Sequence, residues 1–385
     1  MVIMHIADEH WDQDRMEKCE RSASFIEAKA SAVHPDLIVL AGDLQNRRQY
    51  LSGATAVNQM KDHIIALANI APVAMVYGNA EHDPPGSLEV LQDLKTMNET
   101  YIADRPGSLW LSANGFDAAQ GPLPAKALIH FLPYPTKQWY LAGKENLSID
   151  ESNEAIQQGL RGILTGFGAL SSGAQCPVIL VAHCNVSGSI LSTGQTLLGQ
   201  DIMISKHDLA LAGADYVALG HIHKRQEVGP NMWYAGSTYH NNFGETEKKS
   251  LNLVTVNPPH VVTVEEVSIP SRPLSLHECT YEKGLILDEN ANDGDWIDAD
   301  LRVRVTVAKE ELELLTDEMI REKYLKAYTI QIERLVVPME RIRSTSIVRA
   351  QRLAEKVELW MKSIDKTPEP EILELANDVE RSCAA

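Results

Sequence analysis

Five apolar runs in this chain each end in residues able to bind a metal ion, and that recurrence limits the fold more than any other feature. Val2 to Ala7 leads into Asp8-Glu9-His10. Asp36 to Ala41 leads into Gly42-Asp43, and Val73 to Tyr77 into Gly78-Asn79. Pro177 to Ala182 leads into His183, and Tyr216 to Leu219 into Gly220-His221-Ile222-His223. Short continuous apolar runs read as strands buried on both faces. The first three alternate with helical stretches at about 12–34 and 54–70, the rhythm of an α/β domain. In such sheets ligands gather beyond the carboxyl ends of the strands. His221 and His223, two apart in an extended segment, point to one side, and Gly220 lets the backbone turn there.

Composition narrows the setting. The 385 residues suffice for two or three domains. No apolar run is long enough for a membrane span, and the acidic Asp8 comes too early for a signal peptide. The five cysteines, Cys19, Cys176, Cys184, Cys279 and Cys383, show no C-x-x-C spacing. They fit free thiols in a reducing cytoplasm. A net charge of −18 attracts no nucleic acid through the overall field. A nucleic-acid role would need a local basic surface, bound metal or a partner.

Beyond about residue 270 the pattern changes. Leu301 to Val307 and Thr329 to Glu333 alternate as half-buried strands, with Arg302 and Arg304 on the solvent side and a helix over Lys309 to Lys326 between them. The last residues predict two helices. Leu353, Val357, Trp360 and Ile364 stripe one; Ile372, Leu375 and Val379 stripe the other, which restarts at Thr367-Pro368.

Taken singly, Asp43 and Asn79 read as turn residues and His183 as a packed histidine. Together, Asp8, His10, Asp43, Asn79, His183, His221 and His223 offer more donors than one ion takes. The carboxylate, amide and imidazole set suits Mn²⁺, Mg²⁺, Fe²⁺ or Zn²⁺, with mixed O/N ligation favouring Mn²⁺. With one carboxylate bridging, it suits two ions about 3.5–4 Å apart, an arrangement that clamps a phosphoester and its attacking water.

The ordered series D-x-H, G-D, G-N…H-D, H and G-H-x-H resembles the calcineurin-like metallophosphoesterases. His5-Ile6-Ala7-Asp8-x-His10, Gly220 to Lys224, Tyr234-Ala235-Gly236-Ser237 and Phe243-Gly244-Glu245 are similar to the SbcD-type subgroup. Those are nuclease subunits of SbcC–SbcD complexes in double-strand-break repair and recombination, in cells and phages. Specific motifs cover about residues 1–256; the remainder resembles the subgroup by architecture alone. The resemblance implies an α/β fold: a four-layer α-β-β-α sandwich over 1–270, a small α+β DNA-binding cap over 271–340, and a helical tail over 341–385 for a SbcC-like coiled-coil ATPase. It implies that Asp8, His10 and His223 hold one ion, that Asn79, His183 and His221 hold the other, and that Asp43 bridges them. His82 would protonate the leaving group or stabilise the transition state. The ions would be Mn²⁺, with Mg²⁺ as the alternative, the substrate DNA, and the assembly a homodimer through helices 12–34 and 54–70. In the second helix Ala56, Met60, Ile64, Leu67 and Ala68 form the candidate dimer stripe, with burial in the core as the equal alternative. A small-molecule phosphodiesterase or phosphoprotein phosphatase is the alternative. A scaffold without turnover is disfavoured, because every metal position carries a competent donor.

Three departures from the family pattern bear on the site, one of them the added carboxylate of Glu81, which could salt-bridge nearby or perturb the site. Ala80 and Glu81 stand between Asn79 and His82, which predicts a displaced His82. Trp11-Asp12 replaces a small apolar-glycine pair, and Trp11 is a candidate for stacking on a base, with packing as the alternative.

Overall fold

In the computed structural model, the first apolar run forms strand Val2–Ile6 at the centre of a six-stranded sheet. Leu37–Leu40, Val73–Val76 and Thr100–Ala103 follow on one side, all parallel. Ser250–Asn257 and then Val261–Ser268 pair antiparallel on the other. The structure describes residues 1–46, 55–119, 124–136, 148–192, 202–257, 261–288, 294–337, 347 and 349–383. They divide into two units, Met1–Leu274 and Ser275–Ala385.

A seven-stranded sheet completes the first unit, in the order Gln226–Gly229, Met232–Tyr234, Tyr216–Gly220, Val178–His183, Ala127–Leu132, Gly107–Ser112 and Gly115–Asp117. Alternate residues of each central strand serve different layers. Ile3, Leu37, Val39, Ala74 and Val76 pack against Ile129, Phe131, Ile179, Val181 and Ala218 between the sheets. Met4, Ile6, Ile38, Leu40 and Met75 face helices Met16–Val33 and Thr55–Ala68. Leu180, Ala182 and Leu219 face helix Ile149–Ser171. Both faces of both sheets are therefore covered, which is why the strands read as unbroken apolar runs. The expected four-layer α-β-β-α sandwich is borne out.

Helix Met16–Val33 buries Cys19, Ala23, Ile26 and Ala30 at helical spacing. It stops where His34 turns left-handed, φ 49°, and donates its N–H to Ala30 O, just before Pro35. In Thr55–Ala68 the residues Ala56, Met60, Ile64, Leu67 and Ala68 are buried within the chain itself. The expected dimer stripe is thus core, and that side is closed to a second copy.

In the second unit, the order Leu285–Asp288, Leu274–Glu282, Asp300–Ala308, Thr329–Val337 makes a four-stranded sheet. Leu301, Val303, Val305 and Val307 bury one face against Ile320 and Tyr324. Arg302 and Arg304 lie on the other, bonded to Gln331 and to Glu333 and Glu278. The expected helix over Lys309 to Lys326 is instead a 3₁₀ segment, Lys309–Leu314, and a short helix, Asp317–Lys323. Thr316 breaks the run by capping the helix, accepting from Met319 N–H.

The tail helices are Leu353–Ser363 and Pro370–Cys383. The second begins at Pro370, not Pro368. Met361 and Ala376 are buried, whereas Trp360, Ile364, Ile372, Leu375 and Val379 are exposed. Among the described residues no helix is long and apolar enough to cross a membrane.

Candidate metal centre

The strand ends of the two sheets converge. Donor atoms of Asp8, His10 and His223 lie within 4.8 Å of one another, as do those of His10, Asp43 and His82, and those of Asp43, His183 and His221. His10 and Asp43 each belong to two of these groups. Asn79 is joined to them through its backbone, whose N–H donates to Asp43 Oδ1 at 2.7 Å. Its side-chain oxygen accepts from Glu81 N–H at 3.0 Å.

The two residues before His82 do not carry its ring away. His82 and Asp83 both donate backbone N–H to Asn79 O, at 2.8 and 2.7 Å, so the insertion closes into a turn. The His82 imidazole lies 4.6 Å from that of His10 between centroids, with Nε2 4.0 Å from Asp43 Oδ2. Buried Asp83 accepts from the N–H groups of Leu44, Gln45 and Gly78 and so ties this loop to the one after Asp43.

Backbone conformation aims the donors. Asp8, His10 and Asp43 are left-handed, with φ of 53°, 45° and 51°, and His221 has φ 103°. Such values are uncommon for residues with a Cβ and cluster at functional sites. The loops hold one another in place: Asp8 N–H donates to Gly42 O, His10 N–H to Asp43 O, and His221 N–H to both oxygens of Asp8. Gly220 matters for close approach rather than for turning. A Cβ there would sit 1.9 Å from Ala41 O, pushing the two sheets' strand ends apart.

Hydrogen bonding turns the imidazoles inward. His183 Nδ1 donates to Ala41 O at 2.6 Å, which leaves Nε2 facing Asp43 Oδ1 at 3.4 Å. His223 Nδ1 donates to Glu245 Oε1 at 2.9 Å, which leaves Nε2 3.0 Å from His10 Nε2. Two donors bonded at ~2.1 Å and at right angles to one ion lie about 3 Å apart, so this pair fits adjacent corners of an octahedral shell. His10 Nδ1 and His183 Nε2 are buried without a hydrogen-bond partner among the described residues. Burial alone would lower the His183 pKa, but the Asp43 and Asp8 carboxylates outweigh it and raise it to about 9. The donor set of buried imidazole nitrogens and carboxylate oxygens fits divalent cations of the harder kind.

Residues outside the expected set support it. Glu245 is fully buried between His223 and Lys249, whose Nζ lies 2.6 Å from Glu245 Oε2. Burial raises the Glu245 pKa, but His223 and Lys249 prevail and hold it near about 2. Phe243-Gly244-Glu245 is visible in the sequence; its link to His223 is not, because strands Gln226–Gly229 and Met232–Tyr234 separate them. Glu9, between Asp8 and His10, points to the outer layer and contacts His63 Nε2 at 3.2 Å. Trp11 is buried and donates Nε1–H to Glu9, so it packs and offers no face for a base. His5 is buried between Tyr216 OH and Leu219 O, a structural place.

Residues 1–225 match the family model described as calcineurin-like phosphoesterase. The chain belongs to this family. It is a metal-dependent phosphoester hydrolase. It is also 23% identical to the SbcD subunit of the nuclease SbcCD of Escherichia coli K12, over 94% of this chain and 91% of that protein. The same figures hold for the corresponding protein of Escherichia coli O157:H7. Among solved structures it is similar to a dimetal phosphatase from Danio rerio, with 12% identity, TM-score 0.43, and coverage of 70% of this chain and 98% of that one. The similarity to GAP50, the anchor in the inner membrane complex of Plasmodium, is also 12% in identity, with TM-score 0.42 and coverage of 70% and 84%.

Proposed function

We propose that the chain is a DNA nuclease, the hydrolytic subunit of an SbcC–SbcD-like nuclease–ATPase complex in repair, recombination or replication. The observation that carries this reading is the extent of the similarity to the SbcCD nuclease subunit. It spans 94% of the chain, whereas the phosphoesterase match ends at residue 225. A minimal phosphatase has no need of the second unit.

In this reading Asp8, His10 and His223 hold one cation and Asn79, His183 and His221 the other, with Asp43 between them. Asn79 would turn its side-chain oxygen from Glu81 N–H to do so. Mn²⁺ suits the mixed oxygen and nitrogen donors, with Mg²⁺ as the alternative. When bound, such a pair polarises the phosphoryl group and lowers the pKa of water. His82 is half-buried beside Asp43 and His10, where it can give a proton to the departing oxygen. Glu245 fixes the tautomer of His223. The exposed stripe through Trp360, Ile364, Ile372, Leu375 and Val379 suits the coiled-coil base of an ATPase. That partner would also supply the positive surface that a chain of charge −18 lacks. A cytoplasmic homodimer through outward faces of the first two helices belongs to the same reading.

Purified protein with Mn²⁺ should cleave linear DNA. Hydrolysis of a chromogenic phosphodiester with DNA left intact would favour the small-molecule phosphodiesterase instead.

A further inference from the structure

Pro133-Tyr134-Pro135 follows strand Ala127–Leu132. Tyr134 N–H donates to Tyr77 O at 3.1 Å, so this segment crosses from the second sheet to a strand end of the first. The Tyr134 ring stands 5.6 Å from that of His221 and 6.0 Å from that of His183, between centroids. A cavity of about 480 Å³ opens here. Gly78, beside Asn79, lines it, together with Tyr134, Pro133, Glu89 and Gln92. Among the described residues lining it the one cation is Arg105, which Asp104 holds through bonds of 3.0 and 3.1 Å.

This chemistry does not suit a second phosphate, since the carboxylates would repel it and the arginine is engaged. It suits a flat, uncharged ring with a polar edge. An aromatic face accepts any base. Glu89 can accept from an exocyclic amine, while Gln92 can both donate and accept. Tyr134 lines the cavity and its ring also meets those of His183 and His221, so a group stacked on it would lie beside the metal centre.

We propose that this cavity receives the nucleobase of the nucleotide being cleaved, with Tyr134 as its stacking platform. The inference rests on the phosphodiesterase reading above. It makes an unstacked nucleotide, at a frayed end or in a single strand, the form that reacts. It also entails weak discrimination among bases, because stacking dominates over edge recognition.

The test compares two Mn²⁺-dependent substrates with one leaving group, the p-nitrophenyl ester of deoxyadenosine 5′-monophosphate and methyl p-nitrophenyl phosphate. The nucleotide ester should have a KM about tenfold lower. Tyr134→Ala should erase that ratio, and Tyr134→Phe should keep it. Calorimetry supplies a readout independent of turnover. Deoxyadenosine monophosphate should bind the Mn²⁺-loaded protein about tenfold more tightly than inorganic phosphate, and Tyr134→Ala should remove the difference. Equal affinity of the wild type for the two ligands, or a ratio unmoved by Tyr134→Ala, overturns the proposal. If neither ester is hydrolysed but nucleotide binding depends on Tyr134, the hydrolytic reading fails and the base site stands.

Discussion

Glu245 Oε1 accepts the Nδ1–H of His223 at 2.9 Å while its other oxygen is held by Lys249 at 2.6 Å. One buried carboxylate thereby fixes which nitrogen His223 leaves facing His10 and, on the proposed assignment, a metal ion. Removing such a partner weakens metal binding about 10–100-fold in known sites. Glu245→Gln should lower Mn²⁺ affinity by that order at one of two sites, as read by Mn²⁺ electron paramagnetic resonance titration. Unchanged affinity at both sites would mean that Glu245 only satisfies Lys249.

Asp43 borders two of the three donor groups. Asp43→Asn should cut DNA or phosphodiester hydrolysis by more than about a hundredfold, beyond the loss expected for an outer partner. Circular dichroism should show the fold intact. Near wild-type cleavage in Mn²⁺ would sink the shared-carboxylate arrangement.

His82 should separate proton transfer from metal binding. General acid–base groups typically contribute about 10²–10⁴-fold. His82→Ala should reduce kcat within that range with Mn²⁺ stoichiometry unaltered. Loss of one bound Mn²⁺ per chain would reassign His82 as a ligand.

His63 gives a pH prediction away from the donors. It is buried, with Nε2 3.2 Å from Glu9 and Nδ1 2.6 Å from Glu27. Burial lowers its pKa, but the two carboxylates outweigh burial and raise it to about 9. The folded value lies above the unfolded ~6.5, so this stabilisation is complete below about pH 6.5 and disappears as pH rises through about 9. The displacement corresponds to about 3 kcal/mol. His63→Gln should therefore lower the urea midpoint most near pH 6 and least near pH 10. An equal loss at both would leave packing, not charge, as its contribution.

Trp360 tests the tail. An aromatic anchor at an interface is worth about 2 kcal/mol or more, roughly 30-fold in affinity. Trp360→Ala should weaken binding to an SbcC-like ATPase by that factor in a pull-down titration and leave hydrolysis of simple esters unchanged. Full binding by the variant would remove the tail from the interface.

The strand ends were readable because burial on both faces leaves an unbroken apolar run, and each run stops where a donor begins. Contacts distant in sequence were not. Gly220 could be seen as a conformational permission, but its real constraint is the Ala41 carbonyl. Periodicity gave the stripe of Met60, Ile64 and Leu67, yet not which surface covers it, and the chain's own sheet does so. The same limit applied to the tail, where equally regular stripes remain exposed. Trp11 looked available for stacking because its burial beside His63, from helix Thr55–Ala68, cannot be read from the local sequence.

The strand Val2–Ile6 pairs along one edge with Ser250–Asn257, and His10 meets His223 across 213 residues. A ribosome emits the first of each pair long before the second. At ~5–20 residues per second, roughly ten to forty seconds separate His10 from His223. Throughout that interval the nascent chain holds only part of the donor set and a central strand with one edge open. On the proposed ligand assignment, hydrolytic capacity would therefore arrive in one step, late in synthesis, once residue 223 has emerged.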